Sequence, residues 1–177
     1  MQSNACSIEN YIRAKDGNRP ALLRQAFTAQ ASLEMVVLTS AISFPGAVNG
    51  LPAITDTLVR SFSLAYENIY TFCIGHPPQA DAATYTCKWL VGMAVKGTGE
   101  LRVGCGQYRW QFAAQTGLVE QLAITIDHMQ VLAAGELEPV MDWLQGLDYP
   151  WCSAADISGR APVIADLAPI LGYIEAG

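Results

Sequence analysis

This sequence predicts an α+β fold, and three observations lead to it. Helical spacing of apolar residues marks the first third of the chain and a segment near residue 140. Long runs rich in β-branched and aromatic residues fill the middle, separated by glycine-marked turns. The resulting order is helices, one strand, a long helix, four strands and a final helix, which is an α+β order.

The elements follow in sequence. Ser7 caps a short helix running to about Lys15, and Asn18-Arg19-Pro20 opens a second with Leu22, Leu23, Ala26 and Phe27 at helical spacing. Leu33 to Ile42, β-branched at its centre, reads as a strand broken by Phe44-Pro45-Gly46. Asn49-Gly50-Leu51-Pro52 opens a further helix with Ile54, Leu58 and Phe62 on one stripe. Antiparallel strands are expected over 68–75, 82–96, 100–114 and 118–132, with turns at Gly97-Thr98-Gly99 and Thr116-Gly117. Glu136 to Gln145 carries Val140, Trp143 and Leu144 at helical spacing. After Pro150 the tail holds either a short helix over 162–168, stopped by Pro169, or a segment wrapping the surface.

Composition narrows the function classes. The 177 residues suit one domain, 1–177, and bury roughly two-thirds of the unfolded surface without staples. An apolar share of 51% against 15% charged calls for oligomerisation or an internal cavity. A net charge of −6 with scattered basic residues argues against nucleic acid and against an anionic membrane. The five cysteines include no C-x-x-C, so neither a disulfide framework nor a zinc site is signalled. No motif asks for a cofactor or metal. With no secretory signal and no span of transmembrane length, a cytoplasmic location is expected.

The helical start around Leu22 to Phe27, Phe44-Pro45-Gly46, and Asn49-Gly50 opening a helix resemble the first half of nuclear-transport-factor-2-like (SnoaL-like) domains. Tyr108-Arg109-Trp110-Gln111-Phe112, the turn at Thr116-Gly117 and Leu118-Val119 resemble their final hairpin. The resemblance covers about residues 5–147 and leaves 148–177 as a C-terminal extension. It implies a cystatin-like cone: a strongly curved, mixed but mainly antiparallel sheet wraps N-terminal helices and encloses an apolar pocket. It also implies frequent dimerisation through the outer sheet face. The family's common catalytic positions are empty in this chain. Where ketosteroid-isomerase-like members carry an acid stands Phe44, and where SnoaL-like cyclases place His and Asp stand Leu122 and Ile124. No acids converge on Arg109 as the limonene-epoxide-hydrolase pattern requires, and a scytalone-type dehydratase needs two pocket histidines where only His76 and His128 exist.

Hairpin register assigns side chains to faces, because strand residues alternate. A three-residue loop at 97–99 sets Lys96 opposite Glu100 and Val91 opposite Cys105; a two-residue loop at Thr116-Gly117 sets Arg109 opposite Ile124 and Cys105 opposite His128. The inner face then carries Cys87, Trp89, Val91, Met93, Val103, Cys105, Leu122, Ile124 and Ile126, with Gln107, Arg109 and His128 among them. On this reading Trp89, Cys105, Gln107, Leu122, Ile124 and Ile126 line a pocket for a small apolar or aromatic molecule. Arg109 is either a clamp for an anion or carbonyl or half of a structural ion pair. His128 is either a proton-transfer group or a hydrogen-bonded core histidine. Cys87 and Cys105 read mainly as small buried hydrophobes. Asp127, by alternation, faces away from His128, and Gly104-Cys105-Gly106 marks a bulge or bend.

The opposite face carries Tyr108, Trp110 and Phe112, an aromatic stripe that reads as a homodimer interface or as a surface covered by the tail 150–177. Three functions stay open: a binding domain for an apolar small molecule; a cofactor-free isomerase, dehydratase or cyclase acting on a carbonyl-bearing apolar substrate through His128 and Arg109; and a dimeric association domain.

Overall fold

The computed structural model describes residues 2–177. Its strands are β1 (Phe27–Val37), β2 (Ala47–Asn49), β3 (Tyr66–Ile74), β4 (Thr84–Val95), β5 (Leu101–Phe112), β6 (Val119–Leu132) and β7 (Trp151–Cys152). Its α-helices are α1 (Asn4–Asp16), α2 (Leu51–Thr55), α3 (Ser61–Ala65), α4 (Leu137–Gln145), α5 (Ala154–Arg160) and α6 (Ala168–Glu175). The strands form one open sheet in the order β2-β1-β6-β5-β4-β3-β7. Four of its six pairings are antiparallel, while β1–β6 and β3–β7 are parallel. The mixed, mainly antiparallel α+β class is therefore the one read from the sequence.

Helix α1 begins earlier than Ser7, because the Ser3 hydroxyl accepts from the Cys6 N–H at 3.2 Å and caps it. Ile8, Tyr11, Ile12 and Lys15 form its buried stripe. The helix is tied across the sheet at both ends. Ser7 Oγ donates to the Gly117 carbonyl at 2.7 Å, and Lys15 and Asp16 bind Thr71 on β3. Pro20–Gln25 is a 3-10 turn. Strand β1 lies earlier than the 33–42 expected, and the chain leaves the sheet after Val37 to form a loop over residues 38–46. From Gly50 (φ 85) the chain runs helically through α2, a π-helical turn (Asp56–Arg60) and α3. Leu58 of the π turn and Phe62 of α3 both face the sheet.

Two turns decide which side chains face inward. The β4–β5 loop holds four residues rather than three, and the Val95 N–H donates to the Glu100 carbonyl at 2.8 Å. Gly97 (φ 88) and Gly99 (φ 73) supply the left-handed conformations that this longer turn needs. Cys87 is consequently opposite Tyr108, and Thr86 opposite Arg109. The β5–β6 turn holds four residues rather than two, with the Ala113 N–H donating to the Leu118 carbonyl at 2.8 Å, and a register shift between Gln111 and Phe112 offsets one of them, so that Arg109 pairs with Ala123. A one-residue slip turns every side chain of a strand over. Cys105 does pair with His128, but a register shift follows at once, Gly106 pairing with Ile126. Asp127 is the extra residue there, so the bend expected at Gly104-Cys105-Gly106 is present.

The sheet carries a core on each face. The inner one joins α1, α2 and the π turn to Trp89, Met93, Tyr108, Trp110, Leu122 and Ile124. The outer one packs α4, α5 and α6 on Phe72, Leu90, Leu101, Val103, Cys105 and Leu132. The tail thus covers much of the outer face. Pro169 opens α6 within its first turn rather than stopping a helix. Lys88 caps the far end of α6, donating to the carbonyls of Tyr173, at 2.7 Å, and Ala176. No helix among the described residues is long and apolar enough to cross a membrane.

Candidate ligand pocket

The curved sheet and the N-terminal helices close around a cavity of about 40 Å³. Its sheet wall is Met35, Trp89, Val91, Met93, Tyr108, Ile124, Ile126 and Met129. Helix α1 contributes Tyr11 and Lys15, and the π turn and α3 contribute Leu58 and Phe62. Ile42 and Phe44, from the loop after β1, close the mouth, where Phe44 stacks on Phe62 with ring centroids 6.3 Å apart. Outside them lies a second hollow of about 270 Å³, whose lining shares Ile42, Phe44 and Phe62 with the inner cavity. These three side chains are the wall between the two spaces.

Glycines make room for this wall. A Cβ on Gly106 would stand 1.9 Å from the Thr125 carbonyl oxygen and 2.9 Å from Trp89 Cζ2. Only glycine lets the Trp89 ring lie over β5 at that point.

Polar groups on the cavity wall are few. The Tyr11 and Tyr108 hydroxyls meet at 3.4 Å, sharing one long hydrogen bond. Two hydroxyls that share one bond leave one O–H free to donate. Burial pushes both phenols well above their ordinary pKa, so both stay protonated donors at neutral pH. The Trp89 indole N–H is buried without an acceptor. Lys15, whose side chain is 7% exposed, donates to Thr71 Oγ1 at 2.7 Å and to Asp16 Oδ1 at 3.2 Å. Its Nζ lies 4.7 Å from the Phe62 ring centroid.

The structure separates the residues singled out from the sequence. Trp89, Ile124 and Ile126 lie on the cavity wall; Leu122 faces the same side but sits in the surrounding core. Gln107 and Arg109 are exposed on the outer face, because the one-residue slip turned β5 over. Cys105 also faces outward, under the C-terminal helices, where burial and the nearby Asp127 carboxylate push its thiol up to about 12. His128 is half-buried against α6, its ring 5.7 Å from that of Tyr173, and the Tyr173 hydroxyl donates to Asp127 at 3.0 Å. The bulge thus brings Asp127 and His128 to the same tyrosine instead of to opposite faces. Neither histidine reaches the cavity, since His76 is exposed in its loop. Tyr108, Trp110 and Phe112 are buried in the inner core and form no outer stripe. Cys87 is buried beside Cys73; hydrogen bonding from Cys73 lowers its pKa, and neither thiol lines the cavity. Among the described residues no cluster of three or more His, Cys, Asp or Glu could hold a metal ion.

Sequence reading missed Tyr11, Lys15 and Phe62 as pocket groups. One signal was present. Tyr11 and Lys15 stand four apart on the same stripe as Ile8 and Ile12, and a lysine on an apolar helix stripe is anomalous.

No known family model matches the sequence, and no characterised protein is close enough in sequence to be matched. Solved structures do match the fold. A nuclear-transport-factor-2-like protein from Burkholderia thailandensis superposes with a TM-score of 0.56 at 12% identity, over 72% of this chain and 92% of that one. A computationally designed 17-OHP binder gives 0.56 at 14% identity, over 73% and 99%. An epoxide hydrolase of the limonene-epoxide-hydrolase-like kind from M. tuberculosis gives 0.52 at 10% identity, over 70% and 83%. The chain has the nuclear-transport-factor-2-like fold.

Proposed function

We propose that this protein binds a small apolar or aromatic molecule inside the cone, with an acceptor oxygen of that molecule on the Tyr11–Tyr108 hydroxyl pair. The observation that carries the reading is an apolar cavity walled by protonated hydroxyls with a hydrogen to spare. The designed binder of the same fold gives the architecture a precedent as a small-molecule container. A cavity of about 40 Å³ is smaller than any such ligand, so binding draws on the adjoining hollow of about 270 Å³ as Phe44 and Phe62 part. The enzyme alternative, an isomerase, dehydratase or cyclase of a carbonyl-bearing substrate, loses His128 and Arg109 as its proton-transfer and oxyanion groups. It keeps only the tyrosine pair as an oxyanion site.

Three of the five methionines, Met35, Met93 and Met129, line the cavity, while Met141 lies in the outer core. Methyl-labelled methionine therefore reports on occupancy. Titration with cyclohexanone should move the three cavity methyls and leave Met141 in place. Tyr11→Phe or Tyr108→Phe should weaken that binding by about fivefold, the value of one hydrogen bond. Cavity methyls that stay put would remove this reading.

A homodimer through the outer face remains part of the proposal, relocated to the part that the C-terminal helices leave open. There Ser32, Glu34, Thr86, Arg109, Gln111 and Gln121 line a polar groove of about 510 Å³. Glu34 and Arg109 are in no ion pair among the described residues, and a second copy could pair them reciprocally. Light scattering tests this: Glu34→Arg and Arg109→Glu should each give monomer and the double swap should restore dimer. A wild-type monomer would refute it.

A further inference from the structure

The third hydrogen of the Lys15 ammonium has no oxygen to meet. Its two bonds go to Thr71 Oγ1 and Asp16 Oδ1, and the remaining direction is occupied by the face of Phe62. Asp16, by contrast, has three hydrogen-bond donors besides the lysine. It accepts from the Thr71 N–H at 2.7 Å, the Thr71 hydroxyl at 2.8 Å and the Tyr149 hydroxyl at 2.9 Å, each closer than Lys15 at 3.2 Å. Residues adjacent on a helix do not face each other, which accounts for the long contact. Lys15 balances the charge of the buried Asp16, and its amine still has one hydrogen without an oxygen partner. Its amine lines the cavity directly behind the Phe44–Phe62 wall, and it is the sole basic side chain in the lining.

Resting on the pocket reading above, we infer that the ligand carries a carboxylate, which replaces the Phe62 ring as the third partner of Lys15, while the apolar body of the molecule fills the cavity and the adjoining hollow joined to it as Phe44 and Phe62 part. Tyr11 lies one helical turn before Lys15 on the same face, so the hydroxyl pair addresses a second acceptor on the same molecule. The ligand class is thus a compact apolar acid, with or without a carbonyl or hydroxyl at its far end. Phe62 lies in the first turn of α3, which follows the π turn, and Phe44 stands in the loop over 38–46.

The test uses the full chain with methyl-labelled methionine and three probes: cyclohexanecarboxylate, its methyl ester and cyclohexanone. The acid should move Met35, Met93 and Met129 with at least about tenfold higher affinity than the ester, as a charge-assisted bond requires. Lys15→Met should level acid and ester, Lys15→Arg should keep the preference, and Tyr11→Phe should weaken cyclohexanone while leaving the acid nearly unchanged, since the acid carries no second acceptor for the hydroxyl pair. Equal affinity of acid and ester in the unmodified protein overturns the inference, whether or not Lys15→Met folds. A preference that survives in Lys15→Met overturns it too. If cyclohexanone still moves the cavity methyls in either case, the pocket reading stands alone. If none of the three probes moves them, both fall.

Discussion

Trp110 and Arg109 are neighbours in sequence, and which of them faces the core decides where the pocket is. Trp110 is fully buried, with ring centroids 5.4 Å from Tyr11 and 5.1 Å from Tyr108. Arg109 is exposed and in no ion pair among the described residues. Truncating a buried tryptophan to alanine costs about 3–5 kcal/mol. The Trp110 indole N–H has no oxygen acceptor and only the Cys87 thiol as a weak partner, which places the cost near the lower end, about 3–4 kcal/mol. Set against a total stability of roughly 5–15 kcal/mol, that is a large share. With a urea slope of about 2 kcal/mol per molar, Trp110→Ala should lower the unfolding midpoint by about 1.5–2 M with the slope unchanged. Arg109→Ala should move it by no more than about 0.25 M, as an exposed substitution does. Urea unfolding followed by circular dichroism at low protein concentration measures both. The reverse ranking would refute the register, and with it the cavity wall and the lysine–tyrosine site.

Gly106→Ala should destabilise by more than about 3 kcal/mol or abolish expression of folded protein, since its Cβ would overlap the Thr125 backbone, which cannot swing aside. Gly104→Ala should cost less, because two of the three contacts its Cβ would make are with the flexible end of Met129; equal costs would contradict the geometry. Burial raises the folded-state pKa of Tyr11 and Tyr108, so their contribution is intact below the unfolded value of 10.0 and lost as pH climbs above it. Stability should fall above pH 10 by about 1.4 kcal/mol per pH unit for each tyrosine, and the Tyr11→Phe, Tyr108→Phe double variant should show a shallower decline in thermal melts. Ending the chain at residue 153 should uncover Val103, Cys105 and Leu132, so that a hydrophobic dye binds and a thiol reagent titrates Cys105 quickly, whereas in the full chain Cys6 alone reacts fast. A truncated chain that binds no dye would show that the tail is not a cover.

The α+β class was legible in the sequence because it rests on local signals. The stripe through Ile8 and Ile12, Pro20 and Pro52 at the starts of helical turns, and glycines between β-branched runs all act over a few residues. The inward positions of β4, from Cys87 to Met93, were equally clear, since one continuous apolar alternation pointed one way. Strand β5 is different. It is apolar on both faces over much of its length, with Val103 and Cys105 outside and Tyr108 and Trp110 inside, so alternation alone does not say which set meets the cavity. One additional residue in the β4–β5 turn, permitted by Gly97 and Gly99 at positive φ, and two in the β5–β6 turn, one of them offset by a register shift at Gln111–Phe112, reversed the reading and moved Arg109 and His128 out of the pocket. The C-terminal helices supplied the second core that made a two-faced strand stable. The meeting of Tyr11 with Tyr108, 97 positions apart, and of Lys15 with Thr71, 56 apart, depends on a helix laid across a curved sheet. Sequence periodicity assigns residues to a face of one element; which faces come together is set by the packing of the whole chain, because that contact exists only once the sheet has bent around the helix.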